Sequence, residues 1–331
     1  MSDSDLATRA PESDAQAADV SPRPAGTTST APANPGLGEH CTSDRPAPAG
    51  QASTGEITKL NDVDVYISKP ADYPHAPARL LLLLTGGTGL HSVNNQIQAD
   101  RFASEGYLVV MPDLFEGDPA PNSRAAAEIA AESTSGSLLD IFKVKAVEAA
   151  KTFLIDMWLA RHTEEKVLPI LHKVLEGARD EFADAVAHGG GVYAVGYCFG
   201  ARYVLLLAAE RPAAGGEQQG RQGDEEAGRP KADGPHIKAG ALAHATLVSR
   251  NDFVGLKAPL SMVCVEDDPL FPDEVRIAGE DSMNEHGVEH EVQVYPGVPH
   301  GFAVVGEYED ANIKEAQATA FEQMLKWINE H

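Results

Sequence analysis

Positive charge is scarce in this chain of 331 residues: 26 lysines and arginines stand against 50 aspartates and glutamates, a formal net charge of −24. Nucleic acids and anionic membrane surfaces are polyanions, so neither is expected as a partner. Cysteine is scarce too. Cys41, Cys198 and Cys264 are the full set, an odd number that suits unpaired thiols in a reducing compartment. Long apolar runs are missing, since no stretch approaches the roughly 18 uninterrupted apolar residues of a membrane span. The amino terminus, Met1-Ser2-Asp3-Ser4-Asp5, has no apolar core for a secretory signal and is too acidic for a mitochondrial presequence. A cytoplasmic protein is the expectation. Paired-cysteine and His-Glu-x-x-His signatures are absent, so no metal and no cofactor is expected.

What is present falls into a tail and a body. Residues 1–50 are rich in Ala, Pro, Ser, Thr, Asp and Gly. They carry too little apolar surface to offset the entropy of ordering, and are expected to be a mostly disordered tail, with the part from about residue 38 packing along the body. Cys41 reads there as structural or incidental. Residues 51–331 read as one α/β domain. The segment 62–67 alternates polar and apolar like a half-exposed strand, whereas 79–85 and 107–113 are the continuous apolar runs of buried strands. A helix is expected over 93–105. The block 122–187 is helical in pattern, with breaks near 133–136 and 162–163. It is longer than one crossover needs, which suggests a partial lid. Further strands are expected at 191–196, 237–245, 259–265 and 290–295, and helices at 272–286 and 311–330. A Gly-rich flexible insertion occupies 212–234. Alternating strands and helices imply a mainly parallel central sheet with helices on both faces.

Chemistry concentrates at Gly196-Tyr197-Cys198-Phe199-Gly200. A buried strand precedes it and an apolar helix follows. That is the form of a nucleophile elbow, the turn of the α/β-hydrolase fold, with Cys in the Ser position. Glycine is needed on both flanks because a side chain there would strike the neighbouring strand or helix. The central residue is strained and projects upward, and the start of a helix favours a thiolate. A cysteine in an apolar stretch is ordinarily a buried small hydrophobe; the order strand, Gly, Cys, Gly, helix argues for the nucleophile instead.

A thiol nucleophile needs a base, and the base needs an orienting group. In this fold they follow in the order acid, then histidine, each at the end of a strand. Glu266-Asp267-Asp268 follows the strand at 259–265, and Pro299-His300-Gly301 follows the strand at 290–295. Asp268 is the first choice of acid and Asp267 the second; Asp268 could also serve as a helix N-cap. Two backbone N–H groups should form an oxyanion hole: that of Phe199 and one in the loop Gly86-Gly87-Thr88-Gly89, which lacks the Lys-Ser/Thr of a phosphate-binding loop. His244, Arg202 and His91 are candidate pocket residues. For Arg202 a structural ion pair is the preferred reading, and Asn95 joins His91 at the expected pocket mouth.

The elbow, the Glu266–Pro272 stretch and Pro296-Gly297-Val298-Pro299-His300-Gly301-Phe302 together resemble the dienelactone hydrolase (carboxymethylenebutenolidase) family of the α/β-hydrolase superfamily. Residues 45–70 and 94–113 resemble its fungal branch. The resemblance runs over roughly residues 38–331 apart from the insertion. It implies a Cys198, Asp268 and His300 triad that hydrolyses small lactones or activated esters through a thioester, with the amides of Gly87 and Phe199 holding the oxyanion. Two departures stand out. Bacterial members carry a glutamate against the resting thiol, near Gly86 here, and an arginine four residues after the histidine, where this chain has Val304. A neutral ester or lactone is therefore the expected small-molecule substrate, for a monomer or homodimer. One alternative is a catalytically inactive ligand-binding or interaction protein. Another is a redox-responsive thiol protein, for which no resolving cysteine is evident because Cys264 lies within a strand.

Overall fold

The computed structural model describes residues 39–121, 138–210 and 234–331. Its strands are β1 (Glu56–Leu60), β2 (Val63–Ser68), β3 (Arg79–Leu84), β4 (Tyr107–Pro112), β5 (Val192–Tyr197), β6 (Ala239–Ala243), β7 (Leu260–Val265) and β8 (His290–Tyr295). They form an eight-stranded sheet in the order β1-β2-β4-β3-β5-β6-β7-β8. β2 runs antiparallel to both β1 and β4, and the remaining neighbours are parallel. The helices are α1 (Glu39–Thr42), α2 (Val93–Ser104), α3 (Leu138–Arg161), α4 (Glu164–Glu181), α5 (Ala183–Gly189), α6 (Phe199–Ala208), α7 (Asp273–Glu285) and α8 (Ala311–Glu330), with a 3-10 turn at Arg250–Phe253. No described helix is long and apolar enough to cross a membrane.

The leucine run of β3 shows why the central strands do not alternate. Leu81 and Leu83 pack with Phe102 of α2 and with Phe321 and Met324 of α8. Leu80, Leu82 and Leu84 pack on the other face with Leu171 and Val174 of α4 and Val204 of α6. Both faces are covered, so every position must be apolar. β1 was not expected. It is an edge strand exposed at four of its five positions, and so has no apolar pattern to read. Its turn did carry a signal. Leu60 pairs with Val63 across Asn61 and Asp62, both at positive φ (45° and 67°), a two-residue hairpin turn that these residue types tolerate.

The described part of the 1–50 segment, from residue 39 on, packs along the body. α1 buries Cys41 and Thr42, and the chain after it is stitched to the body by hydrogen bonds rather than apolar mass. Ser92 Oγ donates to Asp44 (2.9 Å), Asn94 Nδ2 donates to the Arg45 carbonyl (2.8 Å), and Glu307 N–H donates to the Pro46 carbonyl (2.9 Å). Composition registers apolar content and is blind to such bonds. The lid expectation needs correction for the described residues of the helical block. α4 buries Val167, Ile170, Leu171, Val174 and Leu175, and Trp158 of α3 packs on Phe115 and Phe199. This is cover for the sheet. The break near 162–163 falls where α3 gives way to α4. The expected disordered tail up to residue 38, the break at 133–136 and the insertion at 212–234, but for its final glycine, lie outside the described residues.

Candidate active site

The turn from β5 into α6 sets Cys198 at φ +50°, ψ −113°, a region that non-glycine residues rarely adopt. The flanking glycines make the turn possible. A Cβ on Gly196 would come within 2.6 Å of Val204 and 2.7 Å of the Gly200 carbonyl, and one on Gly200 would run into the backbone of Leu84. The turn is tied down on both sides: Cys198 N–H donates to the Ala243 carbonyl (3.1 Å) and Gly200 N–H to the Thr85 carbonyl (2.9 Å). The thiol is thus held over the ends of β3, β5 and β6.

The strand ends deliver the other two groups. After β7, Asp267 turns through positive φ (53°) and stays exposed, whereas Asp268 folds inward. One Asp268 oxygen accepts the Leu270 N–H (2.9 Å), and the other lies 2.7 Å from His300 Nδ1. After β8 the loop carries His300 inward. A His300 ring nitrogen and the Cys198 sulfur fall within 4.8 Å of one another. The structure therefore brings the three residues of the expected triad into one line, sulfur to imidazole to carboxylate, with Asp268 rather than Asp267 against the ring.

A fourth group was missed. Cys41 Sγ lies 2.8 Å from Cys198 Sγ, hydrogen-bonded to it. Its neighbours in sequence give no hint of this, because the contact spans 157 positions. The available clue was Gly86. A Cβ there would stand 3.2 Å from Cys198 Cβ and 3.8 Å from its sulfur, so the loop after β3 brings only a hydrogen to the thiol. Some other group has to meet the thiol on that side, and the 39–50 segment supplies it.

The electrostatics follow from this packing. Burial alone would push the Cys198 thiol up. The Cys41 thiol, the His300 imidazole and its charge, and the Phe199 N–H outweigh burial and bring it down to about 6. Burial would likewise push His300 down, but the Asp268 hydrogen bond and the Cys198 sulfur raise it to about 9. The two groups stabilise each other as thiolate and imidazolium. Cys264, in the middle of β7, behaves oppositely: burial raises it to about 12, which leaves an inert thiol.

The cavity at Cys198 is tight, with room for little more than a water molecule beside the sulfur. Cys41, Asp44 and Arg45 form one wall, Gly86, Thr88, Asn94 and Asn95 a second, and Val304, Val305 and Tyr308 a third. No described residue of the 138–189 helices contributes. The Arg45 guanidinium stacks 4.2 Å over the Tyr308 ring, and both share the cavity lining with Val304, the position that lacks an arginine. Burial raises Asp44, against hydrogen bonds from Ser92 and Thr88 that lower it.

The remaining candidates divide. His244 lines the cavity, with its ring 5.1 Å from that of His300. The Phe199 amide meets the sulfur. In the loop after β3, Gly86 lines the cavity, and the expected Gly87 amide is the next backbone N–H along the chain. Arg202 is not a pocket residue. One turn into α6 its side chain points away from the elbow, to Asp252 (3.0 and 3.2 Å) and Glu164 (2.6 Å). His91 is exposed and outside the cavity, because it precedes the Ser92 cap of α2; Asn95, one turn later, lines the wall and donates to the Gly89 carbonyl (2.9 Å) and Thr88 (3.1 Å). The Cys41, Cys198 and His300 ligand atoms would also suit a soft metal ion in their spacing.

A sheet of this order with a cysteine at the elbow after β5, an aspartate after β7 and a histidine after β8 defines an α/β-hydrolase. The model of the dienelactone hydrolase family matches residues 63–217 and 223–331, and the chain belongs to that family. It is a hydrolase acting on ester or lactone bonds. It is 29% identical over 277 residues to the hydrolase pyvD of Aspergillus violaceofuscus, covering 84% of this chain and 90% of that one. It is 27% identical over 276 residues to dienlactone hydrolase 1 of Gibberella moniliformis, covering 83% and 87%. Among solved structures, a dienelactone hydrolase structure from Klebsiella pneumoniae superposes with a TM-score of 0.58 at 19% identity, over 85% of this chain and 100% of that one, a likeness of fold.

Proposed function

We propose that the chain hydrolyses small neutral lactones or activated esters through a thioester on Cys198. The observation that carries this reading is the buried line from the Cys198 sulfur through His300 to Asp268, with the 2.7 Å contact at its end. In the resting site the pair stands as thiolate and imidazolium. The thiolate attacks the substrate carbonyl. The developing oxyanion is met by the Phe199 N–H and an amide of the Gly86-Gly87 loop. His300 gives its proton to the departing alkoxide, and the thioester is left on Cys198. His300, now neutral, takes a proton from water, the hydroxide opens the thioester, and the thiolate returns with the carboxylic acid product. Asp268 holds the Nδ1–H tautomer throughout, so that Nε2 faces the chemistry. Esters and lactones suit this nucleophile better than amides. A thiolate leaves more readily than an amine, so an amide adduct reverts. All three cysteines are outside disulfides, which fits a reducing compartment such as the cytoplasm.

Release of p-nitrophenol from p-nitrophenyl acetate tests the reading. Wild type should turn over, while Cys198→Ala and His300→Ala should each lose nearly all turnover. A wild type no faster than either variant would overturn it and redirect attention to ligand binding.

A further inference from the structure

The proposed reaction needs one sulfur, yet the site holds two. Cys41 and Cys198 are 1% and 3% exposed, face the same cavity, and approach to 2.8 Å. A disulfide bond measures about 2.05 Å, so closing one requires the sulfurs to approach by less than about 1 Å. The two ends are also unequally anchored. Cys198 is fixed by the elbow, between two hydrogen-bonded strands and a helix. Cys41 lies on the four-residue α1, outside the hydrogen-bonded sheet, and a small shift of that helix would close the gap. The third thiol is placed differently: Cys264 is central in β7 and hydrogen-bonded into the sheet opposite Val294.

We propose that Cys41 is a resolving thiol for Cys198, so that hydroperoxides switch the site off reversibly as a Cys41–Cys198 disulfide. The proposal rests on Cys198 being the reactive thiol of the preceding reading. The Cys198 thiolate attacks the terminal oxygen of a hydroperoxide. The O–O bond breaks, the departing alkoxide or hydroxide takes the His300 proton and leaves as an alcohol or water, and Cys198 becomes the sulfenic acid. The Cys41 sulfur then attacks Cys198, the S–O bond breaks, and water leaves with the Cys41 proton. Two electrons pass from the thiol pair to the peroxide. The nucleophile is consumed, so hydrolysis stops. A dithiol restores both thiols by exchange and is itself oxidised. Resolution also keeps Cys198 from further oxidation to the sulfinic acid, which a dithiol does not reverse.

The full chain is treated with hydrogen peroxide, unfolded in iodoacetamide and mapped by mass under non-reducing conditions, with ester hydrolysis followed in parallel. The expected result is a wild type that has lost two hydrogens and gained a single carbamidomethyl group, peptides containing Cys41 and Cys198 joined, Cys264 alone alkylated, and hydrolysis lost and then regained with dithiothreitol. In Cys41→Ala the same exposure should carry Cys198 to the sulfinic acid, with no recovery. Cys198 sulfinic acid in wild type beside an alkylated Cys41 would overturn the proposal. So would equal recovery in wild type and Cys41→Ala. The joined peptides forming in a protein that never hydrolyses esters would instead defeat the hydrolase reading and leave the thiol pair standing.

Discussion

Replacing Asp268 by Asn separates the role of charge and tautomer from that of shape. Asp268 is 3% exposed, and Asn fills its volume. The Leu270 N–H can still bond to the amide oxygen, so the turn after β7 should persist and the melting temperature should move little. The second contact changes sign. The oxygen 2.7 Å from His300 Nδ1 becomes an NH2 donor. The ring must then accept at Nδ1 and carry its proton on Nε2, the nitrogen that has to take the proton from water. The imidazolium loses a buried carboxylate partner as well, and its hold on the Cys198 thiolate weakens. In triads of this kind the same change costs about 10⁴ in rate, roughly 5 kcal/mol of barrier. Asp267 is exposed and turned away, so Asp267→Asn should stay within about twofold of wild type, the ordinary scale of an exposed substitution. The assay is kcat/KM for p-nitrophenyl acetate, with the pH dependence of iodoacetamide alkylation at Cys198 as a second readout. The alkylation midpoint should rise from about 6 in Asp268→Asn. A variant within tenfold of wild type, with its alkylation midpoint unmoved, would refute this reasoning.

The working state requires Cys198 deprotonated and His300 protonated, and the thiol is drawn down to about 6 while the imidazole is held up to about 9. Hydrolysis should therefore rise as pH passes the lower value and fall beyond the upper one, both belonging to the pair; a kcat/KM profile with a single rise near an ordinary thiol at about 8.5 would contradict it. Arg202→Ala strips the partner from Asp252, whose side chain is 5% exposed. Denaturant unfolding should show a loss of roughly 1–3 kcal/mol, less than a fully buried pair because Arg202 keeps 21% exposure, while hydrolysis per folded molecule is retained. Neutral acetate esters should be turned over faster than esters bearing a carboxylate, since Asp44 shares the cavity and Arg45 is already stacked on Tyr308. The opposite ranking, abolished by Arg45→Ala, would make Arg45 an anion reader.

What could be read ahead of the structure was what the chain must do locally. The apolar run of β3 is written into consecutive residues because both faces of that strand are covered. Gly196 and Gly200 are written in because no side chain fits beside Val204 or Leu84. Asp268 and His300 could be placed because strand ends bring their loops to one edge. The residues that were missed or misplaced depend on contacts between distant segments. β1 has almost no buried face to leave a pattern. Cys41 lies in a stretch of prolines and small residues with no periodicity, and only the fold carries it to the sulfur at Cys198. The two kinds of information meet at Gly86. The sequence showed that the loop after β3 offers the thiol no side chain, and a buried thiol without an opposing donor would be pushed up and lose its nucleophilicity at neutral pH. His300 and the Phe199 N–H supply part of that donor set, and the side left open by Gly86 takes a further one. The 39–50 segment provides it in the Cys41 thiol, a donor that, unlike a carboxylate, can also form a bond to the nucleophile.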